Sequence, residues 1–92
     1  MATILIGYDL NRPSQNYDGL HDAIKGLGSA WWHHLDSTWI VKTSKTPKQI
    51  RDQLAELVDK NDELLVIDVT ARPRAWRGFS ERGGAWLKDT YA

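Results

Sequence analysis

The stretch ILIGYDL, residues 4–10, ends an apolar run with an acidic residue, Asp9, just before a polar loop that contains a proline. If the run is an interior strand, its apolar residues belong to a core, and the acid lies at the strand exit. Side chains at such exits are commonly offered to ions or substrates. Asp9 is therefore the first candidate for chemistry, as a side chain that binds an ion or a substrate. The alternative is an acid that stabilises a turn or caps a helix.

Histidines are a second candidate group. His33 and His34 are adjacent in a predicted strand, so they point to opposite faces and cannot both bind one metal. His21 falls on a predicted helix, where we expect it to face solvent. One histidine acting as general base or zinc ligand with Asp9 or Asp36 is an alternative, although the spacing gives it no supporting pattern.

Arginines and aromatic residues are interleaved near the end of the chain. Residues 72–92 contain five basic side chains and two acidic ones, and Arg72, Arg74 and Arg77 alternate with Trp76 and Phe79. Guanidinium groups suit phosphates and aromatic rings suit bases, so this segment is a candidate nucleic-acid-binding patch. The alternatives are a solvated tail whose arginines pair with acids of the body, or a charged surface that helps two subunits dock.

Five tryptophans in 92 residues are unusual. Trp31, Trp32 and Trp39 would be able to stack on unpaired bases if they lay on an open sheet face. The alternative is a core or a dimer interface, where tryptophan is common. We single out Tyr8 and Trp39 as dimer-packing or base-stacking aromatics.

Composition limits the class of protein. The length suits one compact domain, residues 1–92, and the formal net charge is zero, so any nucleic-acid site must be a local patch. The chain has no cysteine, which excludes disulfides, thiolate metal sites and cysteine nucleophiles. With no signal peptide or long apolar span in the sequence, we expect a cytoplasmic protein without membrane contact.

The elements that must position these residues follow from hydrophobic periodicity. A strand is predicted over 3–9, a helix over 16–27 that ends at Gly28, and a hairpin of strands 30–35 and 38–43 around Asp36-Ser37. Thr46, Pro47 and Gln49 form the N-terminal signature of a second helix.

Residues 62–70, DELLVIDVT, are a last strong strand, in which Asp68 either flanks Asp9 or is a polar edge residue. Ser80 is placed to cap a short C-terminal helix.

The order strand, helix, strand, strand, helix, strand predicts an α+β protein with a ferredoxin-like βαββαβ sandwich. Its four-stranded antiparallel sheet carries both helices on one face, and an arginine-rich C-terminal extension follows at 71–92. Apolar strands would leave the other face of the sheet exposed in a monomer. We therefore expect a partner or a ligand there, and specifically a homodimer.

The sequence resembles the small CRISPR-associated Cas-two family and its virulence-associated protein D-like relatives. The resemblance is carried by ILIGYDL with its terminal Tyr-Asp pair, by the helix ending in Leu27-Gly28, and by the hairpin HHLDSTWIV with its central serine. It covers about residues 3–70.

This resemblance implies a homodimer in which Asp9 of each subunit approaches the dimer axis. In members described as nucleases, the two carboxylates hold a divalent metal that activates water against a phosphodiester, and Mg²⁺ is the cation that such oxygen ligands suit. Family members often carry a basic cluster after the aspartate, where this chain has Arg12 alone. Other members only grip nucleic acid through its backbone.

We therefore expect a Cas-two-like homodimer that binds nucleic acid, with Asp9 as catalytic and metal-binding residue of a metal-dependent endonuclease for RNA or DNA. Arg12, Arg72, Arg74 and Arg77 are the expected nucleic-acid contacts. The alternatives are a non-catalytic dimerising scaffold with a vestigial acid, and a regulatory domain that binds a small ligand at the dimer interface.

Overall fold

The computed structural model describes residues 1–11 and 17–90. The described elements are β1 (Ala2–Asp9), α1 (Asp18–Lys25), β2 (Ala30–Leu35), β3 (Thr38–Thr43), α2 (Pro47–Ala55), β4 (Glu63–Asp68) and α3 (Glu81–Asp89). The strands form one antiparallel sheet in the order β2-β3-β1-β4. This is the α+β ferredoxin-like sandwich that the sequence predicts.

One face of the sheet packs against α1 and α2 and forms the core. Alternation along β1 sends Ile4 and Ile6 to this face, and alternation along β3 sends Trp39 and Val41 there. The helices contribute apolar residues at helical spacing, and all members of the cluster are buried: Leu20, Ile24 and Leu27 from the first helical region, Ile50 and Leu54 from α2. The opposite surface of the sheet is called the second face below.

Helix α2 begins where the sequence predicts. Thr46 is the N-cap, its hydroxyl accepts a hydrogen bond from the Gln49 backbone N–H, and the Gln49 side chain accepts one from the Thr46 backbone N–H. Pro47 occupies the first turn, where a missing N–H costs nothing. The predicted capping box is confirmed.

Helix α1 is shorter than predicted. It begins at Asp18 and ends at Lys25, with Gly26 as C-cap, while the predicted start at residue 16 lies outside the described residues. Gly28 does not end the helix. A Cβ at Gly28 would collide with the backbone carbonyl of Lys42 on β3, so glycine is needed there because two backbones approach closely.

The hairpin matches the predicted limits, with Asp36-Ser37 between β2 and β3. Its pairing is regular from Ala30 to Trp32 and then shifts register before Leu35. Such a bulge bends the strand locally and interrupts the ladder of hydrogen bonds. Strand β2 lies at the edge of the sheet, and the bulge leaves it only a short regular stretch.

The short C-terminal helix that the sequence predicts is present as α3. The predicted fold places two helices on one face, and the structure adds α3 against the second face at β2. The Trp32 indole N–H donates to the Gly83 carbonyl at 3.1 Å, and the Trp32 ring meets Phe79 edge to face at 4.9 Å. Leu87 is buried beside them. The predicted cap is confirmed, since the Ser80 hydroxyl accepts a hydrogen bond from the Gly83 backbone N–H.

We predict that Gly28→Ala lowers the free energy of unfolding by about 1–3 kcal/mol, because the added methyl group forces two backbones apart. Gly19→Ala is the matched control, since a Cβ there would meet only Leu57 at 4.0 Å, an ordinary van der Waals distance. Urea denaturation of both variants measures the difference. Equal stabilities would contradict the close-approach argument.

Candidate functional site

Asp9 is the last residue of β1 and is exposed. Alternation along the strand puts it on the second face together with Leu5 and Gly7, away from the α1 and α2 helices. This half of the second face, formed by β1 and β4, lies beside the half on β2 that α3 covers. Asp9 is therefore open to solvent, to a ligand or to a partner.

A second carboxylate lies next to Asp9. In the antiparallel pairing of β1 with β4, Asp9 stands directly opposite Glu63, so both side chains share the second face. The Cβ atoms of such a pair are about 4.5–5.5 Å apart, and like charges in this arrangement are destabilising. Sequence reasoning missed Glu63. The signal available was its place as the first residue of a strand antiparallel to the one that Asp9 ends.

Asp68, the acid that the sequence offers as a neighbour of Asp9, lies elsewhere. It pairs with Ile4, five residues back along β1 and so about 17 Å from Asp9 along the strand. Its carboxylate accepts hydrogen bonds from the Thr70 hydroxyl at 2.6 Å and from the Thr70 backbone N–H at 2.9 Å. These bonds hold the pKa of Asp68 below its usual value. Asp68 is thus a polar edge residue that organises the exit from β4.

A shallow depression of about 450 Å³ adjoins the two carboxylates. Gly7 lies in its floor, and Thr38 and Leu65, its partners on the two neighbouring strands, flank it. A Cβ at Gly7 would meet nothing closer than 4.0 Å, so packing within one subunit does not require glycine there. Glycine inside a strand weakens it and often marks a place where a ligand or another backbone approaches closely. Gly7 keeps the surface beside Asp9 and Glu63 open.

Two large apolar side chains on the same half of the second face are exposed. Leu65 is 58% exposed and Ile67 is 43% exposed, whereas Trp32 under α3 is 3% exposed. Leu65 pairs with Gly7 and Ile67 with Leu5, so the apolar side chains continue the surface that carries Asp9 and Glu63. An apolar patch rimmed by polar residues is typical of an interaction surface.

The donor set suits a hard cation. Mg²⁺ prefers oxygen ligands, keeps several waters, and is often held by one or two carboxylates together with a substrate phosphate. Asp9 and Glu63 supply two carboxylates from one subunit. Within residues 1–11 and 17–90, no group of three or more histidine, aspartate or glutamate side chains is placed to hold a metal. A cation here would therefore take its other ligands from water, from a phosphate or from a second subunit.

An aromatic cluster lies at the same end of the sheet, on the side of the helices. The His33 ring stacks on Trp39 with centroids 3.7 Å apart and planes 12° apart, and the Trp39 indole N–H donates to the Tyr8 hydroxyl at 3.0 Å. The Tyr8 hydroxyl lies 3.4 Å from both the His21 Nε2 and the Asp36 carbonyl oxygen.

This cluster changes the sequence-based interpretation of several residues. Trp39 is buried in the core, so its indole faces neither a base nor a dimer partner. His21 contacts Tyr8 and Trp39 instead of facing solvent alone. His33 and His34 do lie on opposite faces, since His34 contacts Trp32 and Phe79 on the second face. The cluster anchors Tyr8 and thereby holds the backbone from which Asp9 projects.

The arginines have separate roles. Arg74 donates from Nη1 to the carbonyl oxygen of Leu87 at 3.1 Å, so it caps the C-terminal end of α3. Arg72 and Arg77 are exposed and line a cavity of about 350 Å³ between the C-terminal residues and the second face. Arg12 lies outside the described residues.

Comparison of the chain with protein-family models, with curated proteins and with solved structures finds no match in any of the three. Among the described residues, the helices are too short and too polar to cross a membrane.

We predict that Mg²⁺ stabilises the protein through Asp9 and Glu63. At a concentration ten times the dissociation constant, binding to the folded state adds about 1.4 kcal/mol to the free energy of unfolding. The double variant Asp9→Asn, Glu63→Gln should lose this response, and in the absence of metal it should unfold at higher temperature than the wild type because the like-charge pair is gone.

Thermal unfolding followed by circular dichroism, with and without Mg²⁺, measures both effects. Asp22→Asn, which removes an exposed acid on α1, is the matched control and should keep the wild-type response. A Mg²⁺ response that is the same in the double variant would place the cation elsewhere.

Proposed function

We propose that the protein is a Cas-two-like homodimer of the cytoplasm that binds nucleic acid, and that Asp9 forms the centre of a metal-dependent endonuclease site. The observation that carries this proposal is the position of Asp9. It lies opposite Glu63 on an uncovered surface, beside a depression floored by Gly7.

The homodimer is supported by the same surface. In a two-fold symmetric dimer each subunit offers the same patch, so residues on the patch of one subunit meet the patch of the other. Leu65 and Ile67 supply exposed apolar area on the patch that carries Asp9. Pairing through this half of the second face would bring the carboxylates of both subunits to one interface.

Nucleic acid would bind through local positive charge, because the chain as a whole is neutral. Arg72 and Arg77 are the proposed phosphate contacts, since both are exposed on one surface. Arg12 is also proposed, as a residue that follows Asp9 in the sequence. Arg74 is left out of this proposal because its guanidinium group already donates to the carbonyl oxygen of Leu87 at 3.1 Å.

Bound Mg²⁺ would supply Lewis-acid polarisation of the phosphodiester and a water with a lowered pKa. The residues of the chain position the reactants. Asp9 and Glu63 would hold the cation at the strand exit. Because Gly7 has no side chain, the depression would have room for the phosphate backbone. Thr38 pairs with Gly7 and carries a hydroxyl on the second face.

A non-catalytic dimerising scaffold is the second candidate function. The exposed Leu65 and Ile67 favour it, because an apolar patch drives pairing whether or not the neighbouring acids do chemistry. The two candidates share the dimer and differ in what Asp9 does.

We predict that the wild type cleaves single-stranded RNA or duplex DNA in the presence of Mg²⁺ and that Asp9→Asn lowers the rate at least about 100-fold, which corresponds to about 2.7 kcal/mol of transition-state stabilisation. Gel assays with labelled substrates, with and without EDTA, measure the rate. Asp22→Asn is the control and should cleave as the wild type does. Cleavage that persists in Asp9→Asn would remove Asp9 from the mechanism, and binding without cleavage in the wild type would favour the scaffold.

We predict that Leu65→Lys converts the dimer to a monomer, because a charge replaces apolar area at the centre of the proposed interface. Size-exclusion chromatography with light scattering gives the mass at several concentrations. Leu57→Lys is the control, since Leu57 is 39% exposed and lies after α2, on the opposite side of the sheet. A wild type that is monomeric at all concentrations, or a Leu65→Lys variant that stays dimeric, would overturn the proposed interface.

A further inference from the structure

A groove separate from Asp9 runs between edge strand β2 and helix α3. Its volume is about 550 Å³. Trp31 and His33 line it from the face of β2 that carries α1 and α2, His34 lines it from the second face, and Arg82 and Trp86 line it from α3, so the groove follows the free edge of β2. Asp9 and Glu63 line the depression at β1 and β4, so the groove is a second surface.

The geometry of α3 explains why Arg82 and Trp86 face this groove. Gly83 and Leu87 are the buried residues of the helix, and a Cβ at Gly83 would meet the His34 ring at 3.1–3.2 Å. Arg82 and Trp86 are one turn apart and lie on one flank of this buried stripe. On the other flank, a Cβ at Gly84 would lie 3.0 Å from the indole nitrogen of Trp76. The absence of a side chain at Gly83 brings α3 against β2 and so sets the width of the groove.

The groove combines aromatic surface with positive charge. Trp31 is 44% exposed, so part of its ring is open to solvent although the ring also contacts Trp39. The ammonium group of Lys25 lies 5.1 Å from the centre of the Trp31 ring, and Arg82 adds a guanidinium group. None of the described residues that line the groove is acidic, although the chain has 12 acidic residues. The groove therefore fits an anionic ligand that has flat rings.

An extended peptide is a poorer fit than a nucleic-acid strand. A peptide that adds to a sheet edge needs a run of regular backbone groups, and the register of β2 shifts after Trp32. A bulge of this kind disrupts such pairing. Single-stranded nucleic acid needs no regular strand edge. It requires ring faces for its bases and cations for its phosphates.

We propose that this groove binds single-stranded nucleic acid, with unpaired bases stacked on Trp31 and Trp86 and a neighbouring phosphate paired with Arg82. The inference deepens the proposed function, since it rests on nucleic acid as the ligand, but it requires neither Asp9 nor a metal. It distinguishes single strands, whose bases are free, from duplexes, whose bases are stacked on one another.

The test compares three fluorescein-labelled probes by fluorescence anisotropy in EDTA: a 12-nucleotide oligothymidylate, an abasic strand with the same phosphates, and a duplex of 12 base pairs. The wild type should bind oligothymidylate at least about five-fold more tightly than the abasic strand, the effect of one stacked base. Trp31→Ala and Trp86→Ala should each remove about five-fold or more of that affinity and leave the affinity for the abasic strand unchanged. Trp31→Phe should restore most of the loss.

Matched controls separate stacking from general effects. Trp76→Ala removes a tryptophan that is 41% exposed on the other flank of α3, and it should leave the preference for bases intact. Arg82→Gln should weaken both single strands, whereas Lys60→Gln, which removes an exposed charge after α2, should weaken neither. Circular dichroism checks that each variant is folded.

The result that overturns the inference is equal affinity of the wild type for oligothymidylate and the abasic strand, or an unchanged preference in both Trp31→Ala and Trp86→Ala. Duplex binding in the same experiment distinguishes the proposed single-strand groove from the proposed nucleic-acid function. If the duplex binds and the preference for bases is absent, only the groove assignment fails. If none of the three probes binds, the proposed nucleic-acid function fails with it.

Discussion

The position of β1 at the centre of the sheet is the constraint on which the other features depend. The strand is hydrogen-bonded to β3 on one side and to β4 on the other, and its side chains alternate strictly between two surfaces. Ile4 and Ile6 enter the core under the helices, whereas Gly7 and Asp9 point the other way. A shift of one residue in this register would bury Asp9 and expose the isoleucines. The burial of the core therefore fixes the surface on which the acid appears.

The two halves of the second face have different surroundings. At β2 the C-terminal residues cover Trp32, and the hydrogen bond to Gly83, the contact with Phe79 and the burial of Leu87 hold α3 in place. On β4, Leu65 is 58% exposed and Ile67 is 43% exposed. The covered half forms one wall of an aromatic groove, and the uncovered half carries two acids beside exposed apolar area. The position of α3 thus separates the aromatic groove at β2, which suits flat rings, from the surface at β1 and β4, which suits a cation and a partner.

Much of the fold follows from short-range chemistry and was predictable. The capping box at Thr46 and Gln49, the hairpin around Asp36-Ser37 and the cap at Ser80 all depend on residues a few positions apart. The element order then gives the ferredoxin-like topology. The candidate site was predictable only at Asp9. Glu63 becomes its neighbour through the register of two strands more than fifty residues apart, and the sequence offered Asp68 equally well.

The groove at β2 escaped prediction for a similar reason. The paired glycines at 83 and 84 indicate a weak helix when propensity alone is considered, yet a Cβ at either position would lie 3.0–3.2 Å from an indole or imidazole ring. Their role is visible only when α3 is seen against β2. Gly28 is a similar case. Glycine is needed there because the Lys42 carbonyl on β3 lies close by, and not because the preceding helix ends there. Contacts between distant segments decide why a small residue is needed.

The bulge in β2 also limits how copies of the protein can assemble. Strand β2 ends the sheet on one side and β4 ends it on the other. The pairing of β2 with β3 is interrupted after Trp32, whereas β4, the other border of the described sheet, pairs regularly with β1, so β2 is the less regular template for a neighbouring strand. A building block with two competent borders can polymerise without end, whereas one with a single competent border stops at a closed pair. The irregularity in β2 thus disfavours growth of the sheet into a fibre.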